Sequence, residues 1–416
     1  MRLIFAFLMG AALLAAQQTL DQTLTEGVLA LDRGENQKAY DALTAVVEKR
    51  PKDGRALVGL AEAARRLDKE EEADAHIEQV IELARRQPQF FRGLSMYYEN
   101  GNELDKAAQY EAFYVRAFPD DLSGFGRAAA LHLAAGDGRS AVEFARSGLE
   151  REASAPLQDL LGKALASIGD QAGAEAALRE AVRLSPYEEE YRYDLGYLFL
   201  RDQRFEEAVR ELEDARKVFD KSARIELGIG VARYGQRRFD EAVTAFLRSS
   251  DLAPGAPQPH YFLGRMLEHA TDQIDTVLKR QKAFAQLQPE NYLGPFLYGQ
   301  ALAASLPPAG SDDVAAEAEQ ILRRSIALRG DFWESHFELG AVLERQKRYA
   351  DAAASLERAV ELNPNSSKPH YRLARVYARL GRKEDAARER DLHRNLTEAE
   401  REAMQGGMTL QEPLIK

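Results

Sequence analysis

Tyr193-Asp194-Leu195-Gly196, continued by Phe199, Phe205, Ala208, Leu212 and Ala215, is the stretch on which the fold turns. Leu195 and Phe199 stand four apart, which puts both on one face of a helix. Phe205, Ala208 and Leu212 follow at three and four and form the apolar stripe of a second helix. Between the stripes lies Arg201-Asp202-Gln203-Arg204, a polar run that suits a short turn. Two such helices bury their stripes against each other. Gly196 and Ala208 are expected at the closest approach, where a larger side chain overpacks the contact at a cost of roughly 1–3 kcal/mol.

The same unit recurs along the chain. Small residues stand at Gly27, Ala61, Ser95, Ala129, Gly162, Gly196, Gly230, Gly264 and Gly299, separated by 33 to 35 residues, and Gly340 and Ala374 continue after gaps of 41 and 34. A second series keeps phase behind it: Ala39, Ala73, Ala107, Ala141, Ala174, Ala208, Ala242, Val277, Ala318, Ala352 and Ala386. The copy His336-Phe337-Glu338-Leu339-Gly340, Leu343, Tyr349, Ala352, Leu356, Ala359, Pro364 is as complete as the first. Proline also closes units at Pro51, Pro119, Pro186, Pro254 and Pro289, where it ends one helix and lets the next hairpin start afresh.

This pattern resembles the tetratricopeptide repeat, with its Leu-Gly, Tyr-like, Ala, Phe-like and Pro positions over 34 residues. The resemblance implies an all-α, right-handed superhelical solenoid of about eleven helix-turn-helix units, numbered one to eleven below. It implies a concave groove lined by the first helix of each unit, in which a partner protein or peptide is held. The array spans residues 17–400. It is interrupted by an insert at residues 306–313 in unit nine and by Val277 with one extra residue in unit eight, whose second helix is expected over 272–287. A densely charged last helix suits the end of a solenoid in water, and residues 401–416 form a short tail.

Residues 1–16 read as an export signal: Arg2, an apolar run from Leu3 to Ala16, then Gln17-Gln18. The run is short for a membrane span, and no later stretch approaches one, so no integral span is expected once the signal is removed. Leucine three residues before either cleavage point leaves an uncleaved short anchor as the other reading. Export implies a periplasmic or secreted protein, with a bacterial envelope as the setting. The absence of cysteine excludes a disulfide framework. A net charge of −11, with no Lys/Arg run beyond two, argues against nucleic acid as a partner.

The chain offers no recognisable catalytic constellation, and neither cofactor nor metal is expected. His260, His336 and His370 share one slot, four residues before the small residue, and are expected to be structural. Gly228-Ile229-Gly230 and Gly124-Phe125-Gly126 fall inside first helices and read as packing glycines. A scaffold that binds a partner in its groove is therefore the leading expectation. A self-associating structural solenoid, and an envelope glycan or small-ligand binder or enzyme with a cryptic groove site, are the alternatives.

Three residues before the small slot, units six to eleven carry Tyr193, Leu227, Tyr261, Phe296, Phe337 and Tyr371, whereas units one to five carry Leu24, Val58, Arg92, Gly126 and Asp159. The aromatic half is expected to form a ladder for the partner, with Tyr197, Arg265, Gln300 and Arg375 adding contacts on the same face; the competing reading is that the rings pack against the next helix. Lys368, Arg372, Arg375 and Arg379 share a face of unit eleven. They read either as a solvated cap or as a docking patch for an acidic segment.

Overall fold

The computed structural model describes residues 2–306 and 312–404. The expected leader and tail lie outside the residues whose side chains are described, as does most of the insert at 306–313. Among the described residues there are 22 α-helices and two 3-10 turns and no strand, and the helices pair in chain order into the eleven expected hairpins. No described helix is long and apolar enough to cross a membrane. The chain divides into two compact segments, Met1–Pro186 with units one to five and Tyr187–Lys416 with units six to eleven.

The small slot works as its spacing requires. A Cβ added at Gly162, Gly196 or Gly340 would lie 2.5–2.6 Å from the side chain of Leu178, Leu212 or Leu356, the leucine four residues beyond the phased alanine. The added Cβ at Gly162 would also lie 3.2 Å from the backbone carbonyl of Ala174. The paired alanines 174, 208 and 352 are fully buried. Gly228 and Gly230 likewise face Leu212 and Phe246, which accounts for that glycine pair by packing alone.

The turn inside each hairpin is built on one left-handed residue. Gly34, Asp68, Asn102, Gly136, Gly169, Gln203, Arg237, Lys347 and Gly381 have φ between 57° and 86°. The conformation costs a non-glycine residue roughly 1–2 kcal/mol, and the helix pair it closes overrides that cost in five units. Asp53, Asp137, Ser154, Asp170 and Ser222 cap the helices that follow them by accepting from backbone N–H groups.

Unit eight departs from the expected boundaries. Its first helix is short, Pro257–Arg265, and its second begins at Ile274 after a 3-10 turn, Thr271–Gln273, rather than at Asp272. Val277 nevertheless occupies the alanine position fully buried.

Candidate partner-binding groove

The largest concavity among the described residues is a groove of about 860 Å³ in the C-terminal segment. Its walls are the first helices of units seven to eleven, and the first helices of units eight to eleven touch in succession. That is the face on which the repeat pattern places its binding slots.

Seven of the ten sequence-predicted residues line it: Tyr261, Arg265, Phe296, Gln300, Phe337, Tyr371 and Arg372. They are not equivalent. Tyr371 is 51% exposed, and Tyr261 and Phe337 are partly buried with part of each ring on the core. Phe296 is the exception to the ladder. It is only 4% exposed and meets Phe332 edge-on at 4.9 Å, so it belongs to the core beneath the groove and not to an exposed rung. The reason lies in the neighbouring loop, where Phe332 and Tyr292 close over this position, their rings 4.9 Å apart.

Tyr193, Tyr197 and Arg375 are not among the groove's lining residues. Tyr193 and Tyr197 stack on each other at 6.1 Å, with the guanidinium of Arg224 4.4 Å from the Tyr193 ring, and burial raises the Tyr193 phenol above its usual range. Arg375 and Arg372 converge on Glu344, at 3.2 and 3.1 Å. Arg372 also lies over Phe337, 5.3 Å from its centroid. The basic face of unit eleven is thus compensated at its centre by an acid of unit ten, which corrects the view of it as a bare docking patch for an acidic segment.

Several lining residues were not singled out from the sequence. Trp333, the single tryptophan of the chain, lies one helical turn before Phe337, and their rings are 6.2 Å apart. The four-residue spacing was the available signal. Glu334 and Glu338 form a parallel acidic row on the same helix. Glu338 accepts a hydrogen bond from Gln300 Nε2 at 3.1 Å across the unit boundary. Burial pushes its carboxyl above the usual range; the bond from Gln300 and the charges of Arg372 and Lys368 oppose the shift without cancelling it.

The three slot histidines fasten the loops between units. His260, His336 and His370 each hold Nε2 3.0–3.1 Å from the carbonyl six residues earlier, on Pro254, Gly330 and Pro364. Because a carbonyl only accepts, Nε2 carries the proton. His370 adds a contact from Nδ1 to Glu389 at 2.6 Å.

The N-terminal segment uses its corresponding slots differently. Arg92, in the position held by tyrosine in later units, bonds Glu111 at 2.9 Å and Asp121 at 3.0 Å, while Arg127 reaches Glu111 at 3.2 Å. Glu111 is fully buried, so this network is internal structure.

Family models described as tetratricopeptide repeat match residues 24–75, 155–188, 193–257 and 343–390. No curated protein matches the chain. Among solved structures the chain is similar to the APC/C hetero-tetramer Cut9-Hcn1, with 12% identity, a TM-score of 0.42, and 91% of this chain and 93% of that one covered. It is also similar to yeast Tom70, with 16% identity, a TM-score of 0.38, and 89% and 83% covered. For MamA from Desulfovibrio magneticus RS-1 the values are 20%, 0.35, and 43% and 96%. These likenesses carry no functional argument. With the repeat matched in four stretches and its phased positions filled through eleven hairpins, the chain is a tetratricopeptide-repeat protein.

Proposed function

We propose that this protein is an exported scaffold that holds a segment of a partner protein in the groove of units seven to eleven, and that it has no catalysis of its own. Tetratricopeptide-repeat proteins bind protein or peptide partners, and scaffolds of this family are generally non-catalytic. The observation that carries the reading is the groove itself: Tyr261, Phe337, Tyr371 and Trp333 present ring surface beside the polar ends of Arg265 and Gln300. Aromatic and arginine side chains dominate binding energy at protein interfaces because they bury large area with few rotors and offer directed polar contacts.

The test is a photo-crosslinking residue placed at Tyr371, in the groove, and in a separate variant at Gln320, exposed on the second helix of unit nine. A partner is expected to crosslink at Tyr371 and not at Gln320, and to be displaced when Tyr261 is also replaced by alanine. Equal crosslinking from both positions, unaffected by that change, would move the binding surface off the groove.

Export is the second part of the proposal and rests on Arg2 and the apolar run to Ala16. N-terminal sequencing of the native protein is expected to start near Gln17. A chain recovered from the cytoplasm and beginning at Met1 would remove the export assignment and leave the groove assignment standing.

A further inference from the structure

Charged groups along the groove fall into two sets once their partners are assigned. Arg372 pairs with Glu344, and Arg345 donates to the carbonyl of Leu306 at 3.0 Å. His393 holds Nδ1 3.1 Å from the carbonyl of Ser367. What remains uncompensated is mostly acidic. Among the described residues Glu268 has no hydrogen bond or ion pair. Glu338 has only the amide of Gln300 on one oxygen, and no ammonium or guanidinium stands within ion-pair distance of it. Lys368, exposed at the rim, is the uncompensated cation on the other side.

The setting of Glu338 is unusual for a lone carboxylate. It shares a helix face with Trp333 and Phe337, in a groove whose other rings are Tyr261 and Tyr371. The faces of such rings carry partial negative charge and attract cations, as the carboxylate does, so the two features select the same ligand group. A partly desolvated carboxylate without a counter-charge is costly to the free protein, and the raised proton affinity of Glu338 is the sign of that cost. An arriving ammonium or guanidinium supplies the missing partner.

We propose that the groove recognises its protein partner through a basic side chain, lysine or arginine, seated on the free oxygen of Glu338 beside the Trp333–Phe337 ring row, with Glu268 marking a second acidic position along the same channel. The inference rests on the groove being the binding site and names the chemistry of what it takes. An aliphatic partner residue would leave Glu338 buried without compensation, and an acidic one would meet it with like charge.

Because Trp333 is the single tryptophan, its fluorescence reports the groove directly. The probes are ten-residue peptides of leucine, alanine and glutamine that carry arginine, lysine, norleucine or glutamate at the centre. Arginine and lysine peptides are expected to bind at least about tenfold more tightly than the norleucine peptide. That advantage is expected to disappear in Glu338→Gln, which keeps side-chain shape and a hydrogen-bonding partner for Gln300, and Glu338→Lys is expected to favour the glutamate peptide. Circular dichroism checks that both variants fold, and Glu268→Gln serves as a milder second variant. If all peptides bind with equal affinity, the groove holds peptides but does not select a cation, and the inference is overturned. If no peptide alters Trp333 emission, both the groove reading and this inference fail.

Discussion

Gly230→Leu is expected to destabilise the C-terminal segment by about 3 kcal/mol, the upper end of the usual range for overpacking. A Cβ at this position would stand 2.5 Å from Cε1 and 2.6 Å from Cδ1 of Phe246. The ring cannot swing aside easily: Phe246 is fully buried and stacks nearly parallel on Phe262, 5.0 Å away. Gly264 makes the contrast. A Cβ there meets Leu297 Cδ2 and Gln300 Oε1, ends of flexible side chains that turn away at smaller cost, so Gly264→Ala is expected to be the milder change. Denaturant midpoints give the magnitudes. In a stack where each unit touches mainly its neighbours, hydrogen exchange should rise first in units seven and eight while units one to five stay protected. Simultaneous loss of protection through all eleven units would refute that locality.

Tyr261→Ala combined with Phe337→Ala is expected to weaken partner capture by about a hundredfold, given that buried aromatic anchors each contribute on the order of 1–2 kcal/mol or more at interfaces. Both rings line the groove and both keep part of their surface on the core, so a modest loss of stability accompanies the change. Phe296→Ala separates the two effects. That ring is core, and its removal should lower the unfolding midpoint by an amount typical of a buried phenylalanine, about 3–5 kcal/mol, and alter capture only through folding. Capture assays alongside thermal melts decide the matter. A double variant that folds normally and captures its partner undiminished would show that the ring ladder only packs the helices.

Much of the architecture follows from spacing alone. The phased Gly and Ala series determines the hairpin count, because a small residue recurring at one angular position of a helix has meaning only if another helix lies against it. The aromatic slot of units eight, ten and eleven was legible for the same reason: its period places it on the groove side of each first helix. Part of the turn chemistry was legible too. Gly34, Gly136, Gly169 and Gly381 mark the left-handed position, whereas Asp68, Asn102, Gln203, Arg237 and Lys347 adopt it only because the closed hairpin imposes it.

What a residue meets in the next unit was decided by tertiary structure. Gln300 reaches Glu338 across 38 residues, and Arg372 and Arg375 both find Glu344 about one repeat earlier. Phe296 turns inward because Phe332 and Tyr292 sit over it. Periodicity fixes the angle of a side chain about its own helix, and that is a property of local sequence. Which groups meet between helices depends on the displacement of one hairpin against the next. The short first helix of unit eight and the insert in unit nine change that displacement without disturbing the phase of either series.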